Sequence, residues 1–394
     1  QISVPGFAAP IAIPFAVSIA LPPPTARISS APKAIAFSTP FLAKDRLPEV
    51  EFTGYCRSFP EESMAQLRLF AGEAEGCYPD GWEEHARGSE KKQEQAPGKK
   101  MTEYNSLETM LDSEQPDILV VDNRFSERYV PEKTAILKGI HVYADKPIGM
   151  TEEELNDLYA EVKKSGKYLW AMDTVRYDAW YYTARKLVEK GAIGKVRMVN
   201  CQKSYRLGER LPFYRERKYY GGTFGWVTIH AIDMIRMITG KECLSVYSRQ
   251  SRADNFGYGD MEIITTSSFE LEDDILATVS TDYYRPENTH SHDDDRMRVV
   301  GTKGIIEVIR RDGEHEVRLI NEENNGTVPV PQEKPPFIFE DFVHTIQGGG
   351  EGLLDVEESF RNAYVAICAQ RSADEKRVVP MKNARILFPG EKQV

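Results

Sequence analysis

Glycine is nearly missing from the start of the chain: Gly6 is the only one before Leu47. Acidic residues are missing there as well, the first being Asp45, and residues 1–40 carry just two charges, Arg27 and Lys33. The same stretch holds 8 of the 23 prolines. Prolines this dense remove backbone donors and break helices and central strands. The expectation is an irregular Pro-rich leader over 1–40, with one short strand at Lys33–Ser38; a stretch that does not share the coding frame of the rest is the open alternative. Cysteine is sparse. Cys56, Cys77, Cys201, Cys243 and Cys368 are far apart, odd in number and without a CxxC, which excludes a disulfide framework or zinc finger and makes a reducing cytoplasm the default. Long apolar runs are lacking too. Phe7 to Leu21 is broken by Pro10 and Pro14 and followed by Pro22, Pro23 and Pro24, so no membrane span is expected. Gln1 to Gly6 has no basic residue, as a secretory signal would require. Net positive charge is also absent: 50 basic against 61 acidic side chains give −11, which argues against a nucleic-acid partner.

What is present is a soluble globular composition, 41% hydrophobic and 28% charged over 394 residues, long enough for two domains or three. Val50–Cys56 predicts a strand and residues 61–73 a helix; Gly81 to Lys100 is a charged, solvated insertion. Asp117–Asp122 is a short apolar run suited to a buried parallel strand. A helix over Tyr129–Lys138 stops at Gly139, and His141–Ala144 predicts another strand. Strands alternating with helices imply βαβ units and a parallel sheet. Thr151 and Glu154 form a capping box. A helix over 178–190 ends at Gly191. From Val196 to Ile309 strand-like runs dominate, which predicts a large antiparallel sheet. A last helix covers about Val356 to Arg371. The expected organisation is a leader (1–40), a Rossmann-like nucleotide-binding domain (41–148) and a C-terminal α+β substrate and oligomerisation domain (149–394).

Two motifs carry chemistry. Asp145-Lys146-Pro147 directly follows a strand, and the carboxyl ends of parallel strands are where open α/β sheets bind ligands. Gly221-Gly222-Thr223-Phe224-Gly225-Trp226-Val227-Thr228-Ile229-His230-Ala231-Ile232-Asp233 leads from glycines into an apolar helix with His230 and Asp233 near one face. Taken alone, a solvated loop lysine and a core histidine capped by its aspartate explain both.

Together these elements resemble the Gfo/Idh/MocA oxidoreductase family. Gly139 to Pro147 matches its "GKHVxxEKP" phrase, and Gly221 to Asp233 its glycine-rich phrase ending in "HxxD". Gly191-Ala192-Ile193-Gly194-Lys195-Val196 matches "GxIGxv", Gly301-Thr302-Lys303-Gly304 matches "GtxG", and Arg176-Tyr177-Asp178 is similar to "RfdP". The match runs from about Leu47 to Met381. The resemblance implies a Rossmann domain joined to an α/β domain with a large, mostly antiparallel open sheet. It further implies Lys146 at the nicotinamide and the reacting hydroxyl, and His230 as proton acceptor. Cofactor contacts would come from Arg57, Ser58, Asn123, Phe125, Asp145 and Lys146, and substrate contacts from Arg176, Tyr205, Trp226 and Asp233. NAD or NADP is the implied cofactor, with Arg57 and Ser58 after the second strand favouring NADP.

The chain departs from the family in three places. No GxGxxG precedes Leu47, so the leader stands where the first strand and phosphate loop belong; either that start is absent from this chain or cofactor binding is impaired. Trp226 stands where an aspartate is frequent. Asn123-Arg124 replaces Thr-Pro, and Arg128 falls where a histidine is common. The implied function is hydride transfer between nicotinamide and a sugar, sugar alcohol or related hydroxy compound in the cytoplasm, by a homodimer or homotetramer. A non-catalytic sensor of the same architecture and an NAD-assisted glycosidase are the alternatives. His290-Ser291-His292-Asp293-Asp294-Asp295 matches no metal spacing, and no metal is expected. Tyr205, Arg206, Arg210, Tyr214 and Arg217 suit a polyhydroxylated or acidic substrate.

Overall fold

The computed structural model describes Phe15–Ala20, Leu47, residues 50–57 and residues 102–389, apart from 209, 211, 290, 312–313 and 330–333. The predicted strand Lys33–Ser38, the helix over 61–73 and the insertion over 81–100 lie outside the described residues.

Six strands form the first sheet: β1 (Phe15–Ala20), β2 (Glu51–Arg57), β3 (Thr102–Tyr104), β4 (Ile118–Asp122), β5 (His141–Ala144) and β6 (Leu169–Ala171). Their spatial order is β3-β2-β1-β4-β5-β6, that of a dinucleotide-binding sheet. The pairs β2–β3, β4–β5 and β5–β6 are parallel. Every residue of β4 is buried, as a strand covered on both faces requires. Helices α1 (Leu107–Glu114), α2 (Tyr129–Leu137) and α3 (Glu152–Ser165) connect these strands. Thr151 caps α3 by accepting from Glu154 N at 3.1 Å. Glu154 reaches back to Met150 N, at 2.8 Å, one residue before the position that a capping box predicts.

Two expectations need correction here. Residues 15–20 are not irregular: they occupy the central slot of the sheet, antiparallel to both β2 and β4. The run lies between Pro14 and Pro22, holds no proline itself and contains Val17 and Ile19, which suits it to strand pairing. Its amino end, Phe15, registers with Arg57 and Asp122. The first unit also does not stop at residue 148. α3 crosses over to β6, which pairs with β5, and Leu169-Trp170-Ala171 was too short, with no β-branched residue, to stand out as a strand.

Nine strands form the second sheet, in the order β14-β13-β12-β11-β7-β10-β9-β8-β15. They are β7 (Val196–Ser204), β8 (Cys243–Ser251), β9 (Ile264–Leu271), β10 (Ile275–Asp282), β11 (Arg296–Gly301), β12 (Gly304–Arg311), β13 (Glu314–Asn321), β14 (Asn324–Pro329) and β15 (Val379–Pro380). Only the β7–β10 pair is parallel. Burial alternates along β9 and β10, so one face is covered and the other open. Helices α4 (Ala179–Glu189), α5 (Ile229–Thr239), α6 (Ile338–Ile346) and α7 (Val356–Glu375) complete the fold. α7 packs on α3 and β6 of the first unit and on α5 and β8 of the second. It joins the two units into one continuous core. The open face presents Thr266, Ser268, Thr278 and Ser280 beside Leu276. It is hydroxyl-rich rather than the apolar surface that an oligomerising sheet predicts. A shallow cavity of about 600 Å³ lies on it, bordered by Asn200, Arg249, Arg296 and Glu307 among others. Among the described residues no helix is long and apolar enough to cross a membrane.

Candidate active site

The carboxyl ends of β4 and β5 bring the first motif into place. Asp145 N donates to Val121 O at 2.8 Å, which aligns the two strand ends. Arg128, wholly buried, ties them together. Its Nε donates to Asn123 O at 2.9 Å, its Nη1 to Lys146 O, and its Nη2 to Asp145 Oδ2 at 2.7 Å. Sequence reasoning noted Arg128 only as a replacement; its role depends on two loops meeting in space. The Lys146–Pro147 peptide is cis. Lys146 is buried, with Nζ 3.7 Å from Asp145 Oδ1 and 3.3 Å above the Trp226 ring. Burial pushes the ammonium down to about 8, against the opposing pull of Asp145.

The second motif reaches this loop across the domain boundary. Gly225 lies against Pro147, where an added Cβ would stand 3.3 Å from the ring Cγ. Gly222 has φ +126°, a backbone shape that side chains disfavour. Residues Phe224–Thr228 wind as a wider π-helical turn before α5, a feature often found at functional sites. His230, in the first turn of α5, is buried, and its Nδ1 has no hydrogen-bond partner. Burial first, then the charges of Lys146 and Lys203, hold the imidazole well below its usual range. Lys203 is a contributor that sequence reasoning missed. It is fully buried on β7 and paired with Asp295. The signal was there: Val199, Cys201 and Lys203 alternate on the inward side of the strand.

The other expected residues divide. Asn123, Asp145 and Lys146 line one edge of the first sheet together with the end of β2 at Arg57; Ser58 lies outside the described residues. Phe125, expected as a cofactor contact, is instead walled in, stacked on Trp226 at 4.5 Å and edge-on to Phe213 at 5.6 Å and Tyr214 at 5.8 Å. Trp226 is mostly buried between Phe125 and Lys146. Tyr205 lies 5.2 Å from the His292 ring. Arg176 and Asp233, expected at the substrate, are both buried and spent on each other, with Nε 3.0 and 3.1 Å from the carboxylate oxygens. Arg176 Nη1 also donates to Leu353 O at 2.6 Å, and Asn362 Nδ2 donates to Asp233 Oδ1 at 2.7 Å and to Asp173 Oδ2 at 2.9 Å. That network holds α5, α7 and the turn after β6 together and occupies Arg176 and Asp233, while Asp173 Oδ1 keeps no partner. Among the described residues no group of three or more His, Cys, Asp or Glu is placed to hold a metal. His290 lies outside them, and Asp293, Asp294 and Asp295 pair with Arg310, Arg296 and Lys203.

The residues fit a dinucleotide at one end and not at the other. A buried lysine beside an unsatisfied histidine at the strand ends suits a nicotinamide. The pyrophosphate normally rests on the helix that follows β1. Here β1 runs in reverse, so Phe15 is its residue at that edge and the strand leads away from it toward the opposite edge, with no helix following the strand there among the described residues.

A Rossmann-type sheet and an open antiparallel sheet, meeting at a strand-end lysine and a helix histidine, define a two-domain oxidoreductase architecture. Comparison with known proteins bears this out. Residues 84–172 match the oxidoreductase family with an NAD-binding Rossmann fold, and residues 181–307 match the GFO/IDH/MocA C-terminal domain. The chain belongs to the Gfo/Idh/MocA family. A solved oxidoreductase-type structure from Thermotoga maritima is 42% identical, with a TM-score of 0.69 over 72% of this chain and 85% of that one. The aldose-aldose oxidoreductase of Caulobacter crescentus, 22% identical with a TM-score of 0.64 over 75% of this chain and 89% of that one, shares the fold. The myo-inositol 2-dehydrogenase of Thermotoga maritima is 23% identical over 61% of this chain and 73% of its own length. The first curated relatives are spanned over 38–48% of their length.

Proposed function

We propose that this chain is a nicotinamide-dependent oxidoreductase acting on a hydroxyl-bearing carbon of a sugar or sugar alcohol. The observation that carries the reading is the juxtaposition of buried Lys146 with His230, whose buried Nδ1 lacks a partner. A bound nicotinamide would accept or return the hydride. Asn123, Asp145 and Lys146 would hold its reactive end, and Arg57 at the end of β2 favours NADP. Removing a hydride requires the hydroxyl proton to leave as well. His230, kept neutral by burial, has a lone pair to take it. Lys146, still charged below about pH 8, steadies the alkoxide that forms. The open face of the second sheet is the proposed seat of self-association into a dimer or tetramer. The test is turnover of a panel of sugars and polyols with NAD and NADP, together with titration of both cofactors on the native protein and Arg57→Asp. Turnover lost in folded Lys146 and His230 variants supports the reading. Turnover retained in both overturns it.

A further inference from the structure

Five arginines are buried among the described residues: Arg128, Arg176, Arg206, Arg210 and Arg236. Arg128, Arg176 and Arg236 each meet a carboxylate within 3.1 Å. Arg206 bonds to Thr289 through Nε, at 3.1 Å to Oγ1, and through Nη2 to the backbone oxygen. Arg210 is the exception. No described carboxylate lies within ion-pairing distance of it. Its Nε is buried without a partner, and the guanidinium makes one long bond, 3.4 Å from Nη2 to Arg206 O. Two rings flank it, Tyr214 at 5.6 Å and Tyr283 at 5.2 Å. The Tyr214 hydroxyl is itself buried and unpartnered. The segment is anchored from behind, where Arg210 N donates to Tyr258 Oη at 2.8 Å.

A buried cation supported only by ring faces is a costly arrangement, and it is placed at the site. Tyr214 and Tyr283 share one aromatic cluster with Phe125 and Trp226, and Trp226 is the ring beneath Lys146 Nζ. The neighbouring cations are already matched: Arg285 lies 3.4 Å from Asp294, and Arg310 lies 2.7 Å from Asp293. Of the two buried arginines here without a described carboxylate partner, Arg206 is bonded to Thr289 and Arg210 alone keeps an open guanidinium edge. A guanidinium with a free N–H edge meets a carboxylate or a phosphate in a fork, and a single positive charge balances the carboxylate monoanion while leaving a phosphate dianion with excess charge to bury.

We propose, resting on the sugar oxidoreductase reading above, that Arg210 receives the carboxylate of an acidic sugar, a uronic or aldonic acid, whose reacting carbon lies toward Lys146 and His230. Calorimetric titration of the intact protein with glucuronate, galacturonate, gluconate, glucose 6-phosphate and glucose tests it. The expected result is that a carboxylate sugar binds best, that Arg210→Gln weakens it by about 10–100-fold, the worth of a hydrogen bond to a charged group, and that glucose binding is unchanged. Arg210→Lys, which keeps the charge and loses the fork, falls between, and carries the test if the glutamine variant does not fold. Equal affinity for glucuronate and glucose, tighter binding of the phosphate, or full carboxylate affinity in the lysine or glutamine variant would overturn it. Turnover on sugars with no preference for the carboxylate ones, the same in native and Arg210→Gln protein, sinks this assignment and spares the oxidoreductase reading. Arg210-dependent carboxylate binding with no turnover on any substrate does the reverse.

Discussion

Two groups of buried charge meet at α5, and they are bonded to different degrees. In the first, Arg176, Asp233, Asn362 and Asp173 bond to one another, and Arg236 joins Glu358, Asn362 and Glu242 at 2.6–3.0 Å. Burial alone would raise Glu358, yet Arg236 and Arg176 hold it below the usual carboxylate range. In the second, Lys146 has one loose ion pair, His230 an idle ring nitrogen and Arg210 an idle Nε. The densely bonded group fixes the fold, although Asp173 Oδ1, Arg236 Nε and Glu242 Oε2 keep no partner. The incomplete one has bonding capacity left over for a ligand, which is why perturbed and unsatisfied groups concentrate at functional sites.

The largest effect that can break this contrast is catalytic. His230→Ala and Lys146→Met should each lower turnover by about 10²–10⁴-fold, while melting temperature stays level or rises for the lysine variant, since removing an ill-paired buried charge relieves desolvation. Parallel melting and turnover measurements on one preparation decide it; a large stability loss with turnover intact would move these residues into the structural group. Next, Asp233→Ala should cost about 3–5 kcal/mol in urea unfolding, because it strands the buried Arg176 guanidinium. A loss below about 1 kcal/mol would show that the network is not sealed.

The pH profile sharpens the comparison further. Below about pH 8 Lys146 is charged and His230 neutral, so the oxidation rate should be flat and then fall above about pH 8 as the ammonium is lost. An alkaline limb absent up to pH 10 would contradict the assigned role. The smallest effect belongs to Glu132 on α2, fully buried with neither carboxyl oxygen bonded. Burial, and then Glu154, push it up to about 8 against the pull of Arg128. The folded state thus holds this proton where the unfolded chain has released it, and stability should decline as pH rises from about 4.5 to 8. Glu132→Gln should remove that slope and gain about 1–3 kcal/mol at the alkaline end, measured as unfolding free energy against pH.

Apolar pattern and local capping made much of the fold legible. The run Ile118–Asp122, the Thr151 cap, the helix after Asp178 and the glycine-to-histidine phrase all lie where their own chemistry places them. Lys146 and His230 stood out through the family resemblance, since position alone favoured a solvated lysine and a core histidine. Charge partnership was not. Arg176 and Asp233 look as available in sequence as Arg210 does, yet 57 positions separate the first two and the fold closes them on each other. The fate of a buried charge is set by which strands and helices converge on it. Phe15–Ala20 was hidden for a different reason: its flanking prolines suggest disorder, while the slot between β2 and β4 needs only six residues free of them.

Gly225 carries a consequence for how the two halves of the site keep their spacing. Lys146 belongs to the first sheet and His230 to the helix beneath the second. One contact between their segments is a residue with no side chain resting on a proline ring. It acts as a spacer of minimum thickness. A methyl group there would stand 3.3–3.4 Å from Pro147, enough to push the facing segments apart by a few tenths of an ångström. Proton transfer depends steeply on such separations, so the gauge of the site is set by an atom that the sequence leaves out.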